Sequence, residues 1–267
     1  MTASSVTLEM GGFTCAILSG DQAITEPLTR RYQGFFSTDP PDFTLTTMIM
    51  DGAARQDGVL EIQSGAVAVG RSARRLTLTG SGFWAECDLD LRTGTIVQPL
   101  NLSPLDVLLK AIYSHYLSYE DACFVHGCAI QRQGRGFLFF GPSGSGKSTM
   151  AKIAGEGVLA DELVILRRRE RSYELHGTPF WGGSNSTAPL TGLFALSLDR
   201  RAETDTLLTP AQTVRRLLPC MGNFIEDAAC QARLLALASS VAQTMPCRQV
   251  QFSTTASMES WAHAHFV

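Results

Sequence analysis

Between residues 136 and 149 the chain reads GFLFFGPSGSGKST, and Gly141 to Ser148 fit G-x-x-x-x-G-K-[ST], the P-loop pattern for nucleoside triphosphates. Each residue type there has a physical job. Gly141, Gly144 and Gly146 lack Cβ atoms, so the backbone can take φ > 0 and approach a phosphate closely. The N–H groups of the stretch Gly141-Pro142-Ser143-Gly144-Ser145-Gly146-Lys147-Ser148-Thr149 would form an anion-binding nest at a helix N-terminus. Lys147 can reach the β- and γ-phosphates, and the Ser148 hydroxyl suits Mg²⁺. The chain has three lysines (Lys110, Lys147, Lys152) against nineteen arginines. Where arginine is so favoured, a lysine in the loop hints at a need for a compact ammonium.

Phosphate binding does not say what happens next, because a second element must hold Mg²⁺ or activate a nucleophile. Asp161 and Glu162, directly after Val158-Leu159-Ala160, are the candidates. Adjacent strand residues point to opposite faces, so both acids reach one site only if the strand ends or bulges here. Asp161 is read as the reacting acid and Glu162 as the metal ligand, directly or through water. On sequence alone the two roles are exchangeable, and an ordinary pair of hairpin acids is the plain alternative. His126 alone would be an unremarked strand histidine. Its place one strand before the loop gives it interest, because neighbouring strand ends converge in such sheets.

The elements that must position these residues are legible in outline. Phe137 to Phe140 is a wholly apolar run, as expected of a buried parallel strand. Ser148 to Ala154 suits a helix, with Gly155 and Gly157 as its stop. Phe124 to Ile130 and Val158 to Leu166 read as strands, followed by a hairpin through Arg167–Arg171 and a strand near Ser172–Leu175. Leu193 to Leu198 is a further strand, and helices are expected near 210–218, near 223–243 and from about Ser257. Residues 1 to 100 read as a small β-rich domain. Its short runs Thr44–Met50, Leu60–Ile62, Ala66–Val69, Arg75–Thr79 and Phe83–Leu89, parted by turn residues, suggest an antiparallel meander. No chemical motif appears there, and Asp88 and Asp90 read as a solvated face. Ser103-Pro104-Leu105-Asp106 looks like a capped helix start, with Leu105, Leu108, Leu109, Ile112, Tyr113, Tyr116 and Leu117 at helical spacing. That helix would join the β-rich part to residues 101–267 and pack between them. His115 on it reads as structural.

Composition narrows the class of function. Apolar content of 45% and charged content of 18% are those of a globular chain. A net charge of −3 makes no global electrostatic case for nucleic acid or membrane partners. No residue before Arg30 is basic, so the start does not read as a signal peptide, and no apolar run approaches the ~18 residues that span a bilayer. Seven cysteines without a C-x-x-C pair read as free thiols in a reducing cytoplasm, and no Cys/His set has zinc-ligand spacing.

Together these residues resemble the catalytic domain of HPr kinase/phosphorylase and its wider HPr-kinase-like relatives. The shared pattern is His126-Gly127, the apolar strand 137–140, the loop 141–148, a helix, and Leu159-Ala160-Asp161-Glu162. Thr178-Pro179-Phe180-Trp181-Gly182 and Ala188-Pro189-Leu190 to Leu196 look like the relatives that modify peptides, such as lasso-peptide kinases. The resemblance covers about residues 123 to 267. It implies an α/β P-loop kinase fold with a mixed sheet, similar to phosphoenolpyruvate carboxykinase, and ATP- and Mg²⁺-dependent phosphorylation of a serine hydroxyl. By the same resemblance Lys147 and Ser148 serve phosphate and Mg²⁺, Asp161 is the general base, and His126 is an active-site residue.

Three departures stand out: Pro142 replaces the usual Asp, Glu162 replaces a second Asp, and the Glu-Arg of E-[IL]-R-G is missing from Ala188–Phe194. They argue against HPr as the acceptor and against reverse phosphorolysis. The expected activity is a kinase acting on a peptide, protein or small hydroxyl-bearing acceptor. The main alternative is an ATP-binding regulatory module with little transfer. A carboxykinase-like enzyme fits poorly, because Lys110 and Lys152 both read as helical and supply no metal-binding Lys/His pair. Arg200 and Arg201 are candidates to assist transfer, with solvated surface arginines as the alternative. His176, Trp181 and the loop 182–186 are candidates for the acceptor pocket, with an ordinary surface turn as theirs. His263 and His265 read as the end of a terminal helix. Relatives assemble, so a homo-oligomer is compatible with the resemblance, although no interface signature is visible.

Overall fold

The structure, a computed structural model, describes residues 4–50, 67–72, 74–199, 201–225 and 227–266. The chain gathers into two compact units: residues 1–116 with 224–228, and residues 117–223 with 229–267.

In the first unit come β1 (Ser4–Met10), β2 (Phe13–Ser19), α1 (Thr25–Arg31), β3 (Phe43–Ile49), β4 (Val67–Arg71), β5 (Arg75–Gly80), β6 (Phe83–Asp88) and β7 (Thr93–Gln98). They form one sheet in the order β1-β2-β3-β7-β6-β5-β4. The run β4 to β6 pairs antiparallel as expected, and β7, outside the expected strands, continues the meander. The pairs β2–β3 and β3–β7 are parallel, which corrects the wholly antiparallel reading. The cause is connectivity. Parallel neighbours need a crossover, and α1 with its flanking segments supplies one between β2 and β3. The strand expected at 60–62 lies outside the described residues.

Alternation decides which face is buried. Leu76, Leu78, Phe83, Ala85 and Cys87 are buried, while Trp84 between two of them is exposed. The helix α2 (Ser103–Tyr119) lies against this sheet through Tyr113 and Tyr116, which meet Phe13 at ring-centroid distances of 5.2 and 4.6 Å. Its start differs from the expected cap. Leu102 C=O accepts the first helical bond and the Asn101 side chain accepts the Ser103 N–H, so the cap lies just before Ser103.

The second unit carries β8 (Ala122–Arg132), β9 (Arg135–Phe140), α3 (Lys147–Ala154), β10 (Val158–Arg169), β11 (Ser172–His176), β12 (Thr187–Leu196), β13 (Thr204–Leu207), α4 (Pro210–Leu217), β14 (Met221–Gly222), α5 (Ala228–Thr244), β15 (Cys247–Gln251) and α6 (Thr255–Phe266). The strand order is β11-β10-β8-β9-β12-β15-β13, with β14 beside β8. Because β11 also pairs with β12, the strands β10, β8, β9, β12 and β11 join in a ring. The sheet is mixed. β9 is parallel to β12 but antiparallel to β8, so the expected parallel strand is parallel on one side only. α5 starts at Ala228, later than the expected 223.

One face of this sheet is covered by α3 and α6. Met150, Ala151 and Ala154 of α3 and Met258 and Ala262 of α6 pack with Phe137, Phe139, Phe194 and Val250. Phe139 stacks on Phe194 at 5.0 Å, and Trp261 meets Phe194 edge-on at 4.9 Å. Full burial of one such side chain is worth about 1.5–3 kcal/mol, so this layer fixes the start of α3 against the end of β9. Among the described residues no helix is long and apolar enough to cross a membrane.

Candidate functional site

The glycine loop leaves β9 at Phe140 and enters α3 at Lys147. Gly146 precedes the helix with φ +105, and Gly144 sits at +78, conformations that disfavour any residue with a Cβ. Space is equally tight. A Cβ on Gly141 would lie 2.6 Å from the Leu196 carbonyl oxygen, and one on Gly146 would lie 2.7 Å from Met258 Cε. The first N–H groups of α3 have no partner inside the helix. Pro142, Ser143, Gly144 and Ser148 are exposed, whereas Gly141, Ser145 and Lys147 are buried.

Lys147 is 7% exposed, and its ammonium donates to the Gly141 and Pro142 carbonyls at 2.9 and 3.0 Å. Burial pushes its pKa below the ordinary lysine value, opposed by Cys220, Glu162, Asp161 and Cys128. That set of partners places both acids in the electrostatic neighbourhood of the loop lysine.

The acids lie inside β10 rather than at its end. Its register against β8 pairs Asp161 with Cys128, Glu162 with Gly127 and Leu163 with His126. Paired residues share a face, so Asp161, Cys128 and His126 fall on one side of the sheet. Cys128 belongs to the layer under α3, which makes this the loop side. Simple alternation would send Glu162 away from that side. Its φ of +154 breaks the alternation, and its Oε2 lies 3.4 Å from His126 Nδ1. The irregularity that both acids needed in order to share a site is therefore present, together with a register shift between Val158 and Ala160. Gly127 also has a reason to be glycine, because a Cβ there would meet the Phe139 carbonyl oxygen at 2.8 Å.

His126 has its pKa lowered, first by burial and then by the Lys147 charge, while Glu162 and Asp161 pull it back up. The imidazole is therefore neutral near pH 7 and can accept a proton or a hydrogen bond. Asp161 Oδ1 and Ser145 Oγ are buried and have no hydrogen-bond partner among the described residues. Buried polar atoms without partners are costly, so Ser145 Oγ in the loop and Asp161 Oδ1, whose carboxylate acts on Lys147, are both suited to meeting a polar ligand. Among the described residues no three His, Cys, Asp or Glu side chains gather to hold a metal by themselves. Mg²⁺ does not require such a cage, since it takes one or two carboxylates together with phosphate oxygens and water.

Sequence reasoning missed three neighbours of the loop. The Cys220 thiol, after α4, feels the Gly141 main-chain N–H and the Lys147 charge, both lowering its pKa, although burial raises it above the ordinary thiol range. Leu196 closes on Gly141 and Met258 on Gly146. Nothing local to those residues signals the contact. Arg201 is an exposed partner of Asp199 at 2.6 Å and fits the solvated reading, while Arg200 lies outside the described residues. His265 stacks on Trp261 at 4.0 Å, in the last turn of the terminal helix.

No family model matches the chain, and no curated protein matches it in sequence. Among solved structures it is similar to the HPr(Ser) kinase/phosphatase from Coxiella burnetii, with 9% sequence identity and a TM-score of 0.32 over 53% of this chain and 95% of that one. A likeness of this degree defines neither a family nor an activity.

Proposed function

We propose that the chain is an ATP- and Mg²⁺-dependent phosphotransferase that passes the γ-phosphate to a serine-like hydroxyl of a peptide or protein. The observation that carries this reading is the grouping around one loop: buried Lys147, unpartnered Asp161 Oδ1, and the His126–Glu162 pair. The loop 141–146 and the start of α3 would hold the triphosphate, and Ser148 with Glu162 would hold Mg²⁺, which when bound would supply positive charge against that of the phosphates. Lys147 would exchange its two carbonyl partners for phosphate oxygens. Asp161, with an acceptor atom to spare, would take the proton of the attacking hydroxyl. Neutral His126 would orient Glu162 through the Nδ1 that faces its Oε2. The earlier resemblance to HPr-kinase-like proteins points to the same chemistry.

Labelled ATP tests the reading. Label transferred to serine-containing peptides supports a kinase. Tight ATP binding with release of inorganic phosphate only, at a slow rate, contradicts it and favours a regulatory module.

A further inference from the structure

The segment between β11 and β12 is more than a surface turn. It runs along the outer edge of β10, where β11 no longer pairs. Thr178 Oγ1 donates to the Leu163 carbonyl at 2.6 Å, and the Ser184 N–H donates to the Leu159 carbonyl at 2.9 Å. These two anchors bracket Asp161 and Glu162. Gly183 makes the close approach possible, since a Cβ there would sit 2.1 Å from the Thr178 carbonyl oxygen and 2.9 Å from that of Leu159. Phe180 is fully buried and meets Phe124 edge-on at 6.3 Å. Next to this anchor Trp181 is 54% exposed and holds φ +56, a left-handed conformation that a bulky side chain adopts only when its surroundings impose it. A strained backbone that presents a large aromatic ring to solvent, on a segment anchored to β10 on either side of two candidate catalytic acids, suits a recognition element.

We infer that the 177–184 hairpin is the acceptor platform, with the Trp181 ring seating an apolar or aromatic side chain of the peptide close to the accepting hydroxyl. The inference rests on the kinase reading above. A general base must stand at the γ-phosphate, on the side where the hydroxyl enters. An element clamped to β10 on either side of Asp161 therefore faces the acceptor. Trp181 acts as a specificity-determining residue without touching the reacting atoms.

The test uses the full chain, [γ-³²P]ATP, Mg²⁺ and a library of serine peptides degenerate on both sides of the serine. The parent protein is expected to select a large apolar or aromatic residue at a fixed offset from the serine. Trp181→Ala should erase that selection and raise KM for the best peptide about tenfold, with KM for ATP unmoved, and Trp181→Phe should restore most of it. Unchanged selection and peptide KM in Trp181→Ala overturns the platform alone. A parallel rise in KM for ATP overturns it in favour of a contact with the nucleotide base. No label on any peptide from the parent protein, with ATP still bound, overturns the peptide acceptor and the kinase reading together. Matching circular dichroism and ATP affinity of the variants show that they are folded.

Discussion

His126 Nδ1 stands 3.4 Å from Glu162 Oε2, across two strands whose regular alternation would keep these side chains apart. Burial and Lys147 lower the histidine pKa, and Glu162 raises it. Proton NMR should therefore give a His126 midpoint below 6.5, and Glu162→Gln should move it further down. A midpoint that rises in Glu162→Gln contradicts the pairing. The linkage to stability has a fixed sign. The unfolded chain binds the His126 proton more readily, so this group lowers stability as pH falls from 6.5 through the folded value and has no effect above 6.5.

Lys147 holds its charge in a buried place on two carbonyls. Lys147→Met should weaken ATP binding by about 10- to 100-fold, the range for losing charged hydrogen bonds. Because its pKa lies below the ordinary 10.5, a bound triphosphate should raise it again. Calorimetry in mildly alkaline buffers of different ionisation enthalpy should show proton uptake on ATP binding, and Lys147→Met should abolish it. Equal uptake in both proteins contradicts the contact.

Gly141 packs against backbone, whereas Gly144 has only Leu198 Cδ2 near its Cβ position, at 3.8 Å. Backbone yields less than the end of a side chain. Gly141→Ala should cost about 1–3 kcal/mol in urea unfolding, and Gly144→Ala about 1 kcal/mol, mainly from its positive φ. The reverse order contradicts the packing of the loop on Leu196.

Much of this site could be read before the fold was known, and the reasons are physical. The run Phe137–Phe140, the glycines and Lys147 punctuate a strand, a loop and a helix within a few residues, so local rules suffice. β5 and β6 show clean alternation between glycine turns. β2 shows none, because Phe13 to Ile17 are all buried, so no period of two marks it as a strand. The parallel pairing of β3 depends on distant segments and leaves no local mark. The approach of Cys220 to Gly141 likewise spans most of the second unit. The φ of Glu162 is a response to the fold around it, so sequence could state the need for an irregularity but could not place it.

The hairpin beside the acids separates stability from recognition. Phe180→Ala removes a fully buried ring and should cost about 3–5 kcal/mol. Trp181→Gly should stay within about 1 kcal/mol of the parent, because relief of its left-handed backbone offsets lost contact. Thermal unfolding distinguishes them, and equal large losses would make Trp181 a structural residue.

The most direct measurement is single-turnover transfer from bound [γ-³²P]ATP to a serine peptide, in the parent and in Asp161→Asn. The parent should label the peptide. Asp161→Asn should bind ATP with similar affinity yet transfer about 10²- to 10⁴-fold more slowly, as expected on losing a general base. Undiminished transfer in Asp161→Asn, or label that reaches only water in the parent, would contradict the account.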